Sequence, residues 1–516
     1  MIGPPRRAVG PIGLGAIALA ASYPPFSLPI LSFVAVAPAV LLIRQAVREE
    51  DTAGAFRIGF WYGFAAQAVV LYWMIVALWH FTPLAALGYL ASVTVEALWS
   101  GALFWFVVRV RLRAPEVPLW TVFPLAWTAV EWAIGHQGDV RFPWLGLGTS
   151  LADARLLVQW ADIAGARGVT LWLAWCNVML VEGLLPVVGA RRAWARRLVP
   201  VAATLAAAVG YGAWRERTLP TRELETIGLV QPNEGFWEKW VPAHEDSVVT
   251  KLVTMSRQLV ARDGGPPALV VWPEAAIPGY FVNRPQWDEE IAGLARDTHV
   301  PILTGGLDVE FHGRQSYDYF NAAFFYDSLG RRLPYQAYHK RYLVPVVERV
   351  PFVPPRWIQL RWFGGFGRGR QLPVYAGAGG RFGVMICYES AFEELPRAYR
   401  RSGADFLVNI TNDAWFGHTS APAQHASHLV LRAIETRMGV ARAANSGISE
   451  FVDPLGAAYD ATRLETEAVV ADHLRTSDVT TLYVRLGDWV GMLAVAATLG
   501  FAGLLAVDAW RSRRRQ

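Results

Sequence analysis

Three polar residues in the second half of the chain have types and positions that suit covalent catalysis. Cys387 comes directly after the apolar run 383–386, and Glu274 and Lys340 also follow strand-like runs. In open α/β sheets, ligands and chemistry gather outside the carboxyl ends of the strands. We therefore expect Glu274, Lys340 and Cys387 to meet at one site.

These three side chains together predict acyl transfer. A thiol is a weak nucleophile until it loses its proton, so it needs a base and a nearby cation. Glu274 can act as the base and Lys340 as the cation. The ammonium, together with the backbone N–H of Tyr388, can also stabilise the oxyanion of a tetrahedral intermediate. The expected intermediate is a thioester on Cys387.

Each residue also has a structural interpretation. An unpaired buried Cys is most often inert core, Glu274 can cap a local turn, and Lys340 can be a solvated loop charge. A single short motif is a weak signal. The order of the three residues and their shared position after strands favour the catalytic interpretation.

The composition indicates a membrane protein with an attached polar domain. Of the 516 residues, 53% are hydrophobic and only 18% are charged, with 23 Trp, and the mean hydropathy is +0.25. Such values are typical of chains with several spans. The net charge of +5 can indicate nucleic-acid binding. Because the Arg residues cluster beside apolar runs, we expect no nucleic-acid partner.

Eight apolar runs approach the roughly 20 residues that cross a bilayer. They are about 8–23, 28–45, 57–79, 83–109, 118–135, 168–189, 197–214 and 487–509. Basic clusters lie before the first run and after the second, fourth, sixth and eighth. The positive-inside rule then predicts cytoplasmic termini and an outer segment between the last two spans. A cleaved signal peptide is the alternative for the first run.

The segment between the last two spans has the pattern of an α/β domain, because strand-like runs alternate with amphipathic ones. The predicted strands are 225–231, 268–272, 301–307, 321–326, 382–386, 406–410 and 441–444. The predicted helices are 244–262, 285–297, 391–401 and 422–438. We predict a transmembrane helical domain over 1–221, an outer catalytic domain over 222–480, and a last span with a basic tail over 481–516.

Three motifs carry a resemblance to a known superfamily. Trp-Pro-Glu274, His-Lys340 and Ile-Cys387-Tyr-Glu resemble the Glu-Lys-Cys signatures of the nitrilase (carbon-nitrogen hydrolase) superfamily, over roughly residues 222–478. The resemblance implies a four-layer α-β-β-α sandwich. An outer domain of this kind before the last of eight spans is similar to the apolipoprotein N-acyltransferase family. The implied architecture is a polytopic α-helical membrane domain joined to a nitrilase-like sandwich.

The family resemblance also implies a two-step, ping-pong reaction. Cys387 would attack an ester of a membrane phospholipid, and the thioester would pass its acyl chain to the α-amine of an apolipoprotein's S-diacylglyceryl-cysteine. The implied location is the bacterial inner membrane, with the catalytic domain on the periplasmic side. The expected partners are the phospholipid donor, the diacylated lipoprotein acceptor and the bilayer. We expect a monomer without a cofactor.

Four further residues match the family pattern. Trp240 would pack near the acyl or amine substrate, and Glu348 would be an active-site carboxylate, with a surface ion pair to a neighbouring Arg as its alternative. Tyr388 and Glu389 complete the Cys-Tyr-Glu motif. The resemblance therefore implies supporting roles for these residues.

The stretch 356–370 interleaves aromatic side chains with Arg, a mixture that favours the lipid headgroup layer. We hypothesise a lid that dips into the outer leaflet and admits lipid, with Trp357, Trp362, Phe363 and Phe366 as its aromatic residues. The alternative is a loop packed on its own domain.

Two polar groups remain outside this scheme. His418, His425 and His428 lack the Cys or carboxylate company of a zinc site, so we predict no metal. Asn412 and Asp413 suit either a pocket wall or an ordinary polar turn.

The catalytic residues alone do not separate transfer from hydrolysis, because the same three residue types hydrolyse amides or nitriles in soluble relatives. Apolar spans beside the site favour a lipid donor and a lipid-anchored acceptor. A membrane-tethered amidase is therefore the alternative to the transferase. A transporter or scaffold with a vestigial outer domain is disfavoured by the intact Glu274, Lys340 and Cys387.

Overall fold

The structure is a computed structural model, and it describes residues 3–79, 85–144, 146–185, 193–312, 317–332, 337–353 and 365–514. Contacts within the chain define two compact units. The first comprises Met1–Gln137, Phe142–Arg217 and Leu486–Gln516, and the second comprises Gly138–Arg141 and Thr218–Arg485.

The first unit is helical. Its helices are α1 (Arg6–Ser22), α2 (Pro29–Ser32), α3 (Ala37–Arg48), α4 (Thr52–Val70), α5 (Trp73–Trp79), α6 (Ala85–Arg113), α7 (Leu119–His136), α8 (Arg155–Val158), α9 (Ala161–Leu184), α10 (Ala193–Thr218) and, after the second unit, α16 (Trp489–Arg514). Large apolar side chains on these helices are exposed, among them Leu14, Leu98 and Leu504. Apolar faces of this kind suit a lipid environment.

Four helices of the described residues are long and apolar enough to cross a membrane. They are Pro29–Arg48, which joins α2 and α3, and Ala85–Arg113, Ala161–Leu184 and Trp489–Arg514. A fifth span is present if α4 and α5, bent by 61° at their junction, are taken as one. The apolar run 57–79, predicted as one continuous span, is therefore broken. The structure supports four to five candidate spans, fewer than the eight predicted.

The second unit is an α/β domain. Its strands are β1 (Arg222–Gln231), β2 (Leu269–Val271), β3 (Ile302–Phe311), β4 (Tyr317–Tyr326), β5 (Tyr338–His339), β6 (Tyr375–Gly377), β7 (Gly380–Ile386), β8 (Phe406–Thr411), β9 (Gly439–Ala444), β10 (Glu450–Val452), β11 (Ala458–Tyr459) and β12 (Ala468–Thr476). Its helices are α11 (Glu245–Val260), α12 (Pro285–Thr298), α13 (Glu394–Arg401), α14 (Ala421–Thr436) and α15 (Leu482–Leu486).

The strands form two six-stranded sheets with the orders β12-β1-β2-β3-β4-β5 and β11-β10-β9-β8-β7-β6. Each sheet has a parallel centre, β1-β2-β3 in one and β7-β8-β9 in the other, flanked by antiparallel strands. Parallel strands are buried on both faces and therefore consist of continuous apolar runs. Strand β8 is buried at every residue, and its sequence is apolar except for Asn409 and Thr411.

The two sheets face each other, and helices cover their outer faces. Phe325 of β4 packs against Tyr375 and Phe382 of the other sheet, with ring centroids 5.3 Å and 5.8 Å apart. On the outer face of the first sheet, Leu252 of α11 and Ile291 of α12 belong to the same buried core cluster as β1 to β4. The α-β-β-α layering, implied by the superfamily resemblance, is what the second unit shows.

The short edge strands differ from the sequence-based expectations. The segment 338–340 was predicted as a polar stretch after a strand, but Tyr338–His339 is itself strand β5, paired antiparallel with β4. Strands β6, β10, β11 and β12 were also not predicted. Strands of two or three residues are too short to produce a periodic pattern, and β12 is an edge strand with several exposed residues.

Candidate active site

Cys387 lies where strand β7 ends. The strand brings Val384, Met385 and Ile386 into the core, and the chain then turns into a single 3-10 segment, Cys387–Ala391. At Cys387 the backbone adopts φ of 51°, in the left-handed region. A non-glycine residue there is strained, and such strain clusters at functional sites. The turn presents a buried thiol at the carboxyl edge of the second sheet.

Glu274 lies on the loop that follows strand β2. The loop passes very close to Gly305 of β3, where an added Cβ would lie 2.5 Å from the Pro273 carbonyl oxygen and 2.7 Å from the Glu274 Cα. Gly305 N donates to Pro273 O at 3.2 Å, and Ile277 N donates to Gly305 O at 3.2 Å. The missing side chain at 305 therefore allows the loop to hold Glu274 against the sheet.

Lys340 follows the two-residue strand β5, and its backbone N donates to the carbonyl oxygen of Asn321 at 2.8 Å. Its side chain is 1% exposed and points at two carboxylates. Lys340 Nζ lies 3.2 Å from Glu274 Oε1 and 2.8 Å from Glu348 Oε1. The structure thus brings the predicted base, the predicted cation and Glu348 together.

The side chain of Asn321, on β4, touches the same two oxygens. Its Nδ2 donates to Glu274 Oε1 at 2.7 Å and to Glu348 Oε1 at 3.0 Å. The two donor nitrogens, Lys340 Nζ and Asn321 Nδ2, therefore each contact both acceptor oxygens, Oε1 of Glu274 and Oε1 of Glu348. We call Glu274, Glu348, Lys340 and Asn321 the carboxylate-pair cluster. A buried pair of carboxylates is costly without such donors.

The other oxygen of each carboxylate binds a backbone N–H. Glu274 Oε2 accepts from Asn412 N at 2.9 Å, just beyond strand β8. Glu348 Oε2 accepts from Val344 N at 2.8 Å. Each of the two carboxylates is therefore held through both of its oxygens. The predicted alternative for Glu348, a surface ion pair with Arg, is wrong because Glu348 is buried and bonded to Lys340.

Burial and a neighbouring carboxylate favour the neutral form of the thiol at rest. Burial and the Glu274 carboxylate raise the pKa of the Cys387 thiol far above its ordinary value, and Lys340 opposes them. Burial alone would lower the pKa of Lys340, but Glu274 and Glu348 outweigh it and raise that pKa well above its usual value. Lys340 is therefore an ammonium beside a protonated thiol. Deprotonation of the thiol requires a base at hand.

Glu389 is buried beside the site, and its described hydrogen bonds go to donors outside the carboxylate-pair cluster. Its carboxylate accepts from Ile386 N at 2.8 Å, from Arg341 N at 2.6 Å and from the Tyr338 hydroxyl at 2.7 Å. Burial raises the pKa of Glu389 to about 7 despite these hydrogen bonds. The residue joins the backbone before Cys387 to the backbone after Lys340.

The described contacts of Tyr388 and Trp240 are to residues outside the carboxylate-pair cluster. The Tyr388 hydroxyl donates to the carbonyl oxygen of Arg141 at 2.8 Å, and its ring packs edge-on against Phe392. Trp240 belongs to a 3-10 turn, Glu238–Trp240, and its ring lies 5.2 Å from the Nζ of Lys239.

Known proteins resemble both parts of the chain. Residues 226–482 match the carbon-nitrogen hydrolase family, and residues 15–179 match the apolipoprotein N-acyltransferase N-terminal domain. The apolipoprotein N-acyltransferase of Geobacter metallireducens is 34% identical over 518 residues, which cover 96% of this chain and 96% of that protein. The chain belongs to the apolipoprotein N-acyltransferase family. The family resemblance found in the sequence is confirmed.

A second apolipoprotein N-acyltransferase and a solved structure also resemble this chain. The apolipoprotein N-acyltransferase of Chlorobaculum tepidum is 30% identical and covers 95% of this chain and 93% of its own. Among solved structures, an amidase from Nesterenkonia sp. covers 51% of this chain and 94% of its own, at 20% identity and a TM-score of 0.37. The predicted nitrilase-like fold of the second unit is confirmed by the family match and the two sheets.

The aromatic residues of the predicted lid fall into two groups in this member of the apolipoprotein N-acyltransferase family. Trp357, Trp362 and Phe363 lie outside the described residues. Phe366 is described: its N–H donates to Glu348 O at 3.0 Å, and its ring packs against Tyr319 with centroids 5.1 Å apart. The end of the stretch is thus packed on the second unit.

A second buried group of charges lies beyond strand β8. Asp413 Oδ2 accepts from Arg442 Nη2 at 2.8 Å, and Asp413 Oδ1 lies 2.9 Å from His425 Nδ1. We call Asp413, Arg442 and His425 the Asp413 cluster. Burial opposes ionisation, but Arg442 and His425 lower the pKa of Asp413 to about 2. The Thr411 hydroxyl donates to Asp413 at 3.1 Å and also hydrogen-bonds the Cys387 thiol.

Two residues near Glu274 had no predicted role of their own: Asn321, and Lys239, which the family resemblance included only as the first residue of its Lys-Trp pair. Asn321 was assigned only to a strand, although a buried polar residue within an apolar run is the signal that singles it out. Lys239 is 2% exposed, and its Nζ donates to the carbonyl oxygen of Ala275 at 3.0 Å. Burial lowers the pKa of Lys239 to about 8, while Glu274 and Glu234 act in the opposite direction.

Proposed function

We propose that the protein is an N-acyltransferase of lipoprotein maturation that works through a Cys387 thioester. The observation that carries the proposal is the carboxylate-pair cluster beside a buried thiol, in a chain that also contains helices able to cross a membrane. Full-length similarity to proteins named apolipoprotein N-acyltransferase supports the same reaction class. The acyl donor is a membrane phospholipid.

In the first half-reaction, the thiol attacks the carbonyl carbon of a phospholipid ester. Glu274 takes the thiol proton, and the new S–C bond creates an oxyanion that Lys340 and the N–H of Tyr388 stabilise. The C–O bond then breaks, and Glu274 returns the proton to the departing alkoxide. A lysophospholipid leaves, and Cys387 carries the acyl chain as a thioester.

In the second half-reaction, the free α-amine of an S-diacylglyceryl-cysteine attacks the thioester. Glu274 accepts a proton from the amine and gives it to the Cys387 sulfur as the C–S bond breaks. The products are an amide on the lipoprotein and the free thiol. Because the lysophospholipid leaves before the amine attacks the thioester on Cys387, the enzyme follows a ping-pong order.

The neighbouring residues support these steps. Glu348 shares the Lys340 ammonium with Glu274 and keeps it between the two carboxylates. Glu389 positions the backbone on either side of the site through its N–H contacts. Trp240 packs near the substrates, and Tyr388 supplies the oxyanion N–H.

The surroundings of the site follow from its lipid substrates. We assign eight spans to the chain, with both termini in the cytoplasm and the catalytic unit on the periplasmic side of the bacterial inner membrane. The partners are the bilayer, a phospholipid and a diacylated lipoprotein, and the enzyme is a monomer without nucleic acid or cofactor. We propose that Trp357, Trp362 and Phe363 belong to a lid that admits lipid, and that Phe366, which packs on Tyr319, anchors its end.

The test uses purified full-length protein and a phospholipid labelled in its acyl chain. A label on Cys387 that hydroxylamine removes, followed by transfer to a synthetic diacylated lipopeptide, is the expected result. The Cys387→Ala variant should acquire no label. If labelled wild-type protein releases free fatty acid and never acylates the lipopeptide, the protein is a membrane-tethered hydrolase. Absence of label on wild-type protein contradicts the thioester.

A further inference from the structure

The two oxygens of Glu274 have unequal hydrogen-bonding capacity left. Oε1 accepts from Lys340 Nζ at 3.2 Å and from Asn321 Nδ2 at 2.7 Å, whereas Oε2 accepts from Asn412 N at 2.9 Å. An ionised carboxylate has about four acceptor positions, two on each oxygen. Among the described residues, donors occupy both acceptor positions of Oε1 but only one of the two acceptor positions of Oε2.

We infer that Glu274 takes the thiol proton on Oε2, and that Asn321 is a positioning residue which, together with Lys340, reserves Oε1 for hydrogen-bond donors. The inference deepens the proposed function, because it rests on Glu274 acting as the base for Cys387. It assigns Asn321 a role in proton transfer.

The amide of Asn321 can adopt only one orientation at this place. Its nitrogen lies between Glu274 Oε1 and Glu348 Oε1, so a flipped amide would direct its oxygen at two acceptors. Its Oδ1 is buried without a hydrogen-bond partner among the described residues. Burying an unpaired acceptor costs free energy, so the residue serves the two carboxylates through its donor.

Asn321 also fixes the position of the cation. Its carbonyl oxygen accepts from the backbone N of Lys340 at 2.8 Å, and the next residue, Ala322, pairs with His339 in the β4–β5 ladder. One residue of β4 therefore holds the base through its side chain and the cation through its backbone. A substitution at position 321 therefore changes the side-chain contact with Glu274 and leaves the backbone hydrogen bond to Lys340 in place.

The proton transfer is consistent with the contacts of both protonation states. When the S–H bond breaks and an O–H bond forms on Oε2, Oε1 becomes a carbonyl oxygen that still accepts from Lys340 and Asn321. The protonated Oε2 can still accept from Asn412 N and can donate its proton to the departing alkoxide. No contact of Glu274 has to break during the step.

The test is the pH dependence of Cys387 alkylation by iodoacetamide, measured on the full-length protein by mass spectrometry, which separates Cys387 from Cys176. Alkylation needs no lipid, so it reports on the base directly. The Asn321→Asp variant replaces the donor with a third carboxylate. The other charged groups that act on Glu274 are Lys340, Glu348 and Lys239.

The acid limb of the alkylation profile should move up by about one pH unit or more in Asn321→Asp, because a negative charge added beside the carboxylate-pair cluster disfavours the thiolate of Cys387 that alkylation requires. The matched control is Asn409→Asp, a buried Asn on β8 whose Oδ1 faces Arg442. Its acid limb should coincide with that of the wild type. Asn321→Leu, which removes the donor without adding charge, should slow alkylation about tenfold.

An unshifted limb in Asn321→Asp, or an equal shift in Asn409→Asp, would overturn the inference. Thermal unfolding of each variant shows whether it is folded, and Asn321→Leu provides the second measurement if the Asp variant is not. If wild-type protein forms no acyl-enzyme with phospholipid, the proposed function fails while the alkylation profiles still decide the role of Asn321.

Discussion

Two buried clusters of the second unit differ in how many donors face each carboxylate. In the carboxylate-pair cluster, Glu274 and Glu348 share one ammonium, that of Lys340. In the Asp413 cluster, one carboxylate receives both the Arg442 guanidinium and the His425 ring. The first cluster has an excess of negative charge, and the second has an excess of donors.

The difference separates a reactive carboxylate from a structural one. Arg442 and His425 hold the pKa of Asp413 at about 2, so this carboxylate has no tendency to accept a proton near neutrality. Among the described residues, Glu274 shares the Lys340 ammonium with a second carboxylate, Glu348, so less positive charge faces each of its oxygens than faces Asp413. A buried carboxylate is thus suited to proton transfer when the charges around it leave a deficit of cations.

The largest effect is expected when the base is removed from the carboxylate-pair cluster. Glu274→Gln keeps the size and an acceptor oxygen but cannot take the thiol proton, so Cys387 acylation should slow by about 10³-fold or more. Single-turnover labelling with a labelled phospholipid measures this rate. Glu289→Gln, an exposed acid on α12, is the control and should acylate at the wild-type rate. Wild-type acylation by Glu274→Gln would mean that another group is the base.

A substitution in the Asp413 cluster is expected to lower the stability of the protein rather than to slow the reaction. Arg442→Met leaves a buried carboxylate with one donor fewer and should destabilise the protein by roughly 3 kcal/mol. Denaturant unfolding in detergent measures the change. Adding Asp413→Asn to this variant should recover part of the loss. Arg257→Met, at a surface ion pair with Asp297, should cost less than about 1 kcal/mol.

Glu389 is a third buried carboxylate, and among the described residues its hydrogen-bond donors are uncharged: a hydroxyl and backbone N–H groups. Its folded pKa of about 7 lies above the value of 4.5 expected in the unfolded chain. The folded state therefore binds this proton more tightly, and its contribution to stability is lost as pH rises from about 4.5 to about 7.

Glu389→Gln should remove that pH-dependent component and slow acylation about tenfold, because the backbone beside Cys387 and Lys340 loses part of its support. Thermal unfolding between pH 4.5 and 7 measures the first effect, and single-turnover labelling measures the second. Equal pH slopes in the variant and the wild type would show that Glu389 does not titrate in this range.

The smallest effect is expected from Lys239, a cation near Glu274 that is bonded to the Ala275 carbonyl. Its folded pKa of about 8 lies below the usual 10.5, so this group should make wild-type stability rise as pH increases from about 8 to 10.5 and add no pH dependence below about 8. Lys239→Met should lack this rise and slow acylation only several-fold. Lys251→Met, at the ion pairs with Glu234 and Glu467, should leave acylation unchanged.

The central strands of the second unit could be predicted because burial on both faces requires continuous apolar runs. Strands β1, β2, β3, β7, β8 and β9 all overlap predicted segments. The strands β5, β6, β10 and β11 could not, because two or three residues are too few to show a pattern of their own. The nine-residue edge strand β12 could not, because most of its residues are not buried. Strand β5 is the clearest example: two residues, Tyr338 and His339, depend for their conformation on pairing with Ala323 and Ala322.

The residue types of the candidate site could be predicted from the sequence, but the contacts between those residues could not. Glu274, Lys340 and Cys387 are chemically distinctive residues placed after strand-like runs. Asn321 looks like an ordinary strand residue, and its contact with Glu274 depends on the β3–β4 register, which places it opposite Leu307. Sequence patterns indicate which groups are available, whereas strand pairing decides which of them touch.

Gly305 has a consequence for variation of the protein. Its bare backbone allows the Glu274 loop to lie against β3, and even a methyl group there would collide with Pro273 and Glu274. In a saturation library scored for growth dependent on the enzyme, position 305 should therefore be as intolerant as the nucleophile itself. A genetic screen would rank it among the chemical residues, although its requirement is purely one of space.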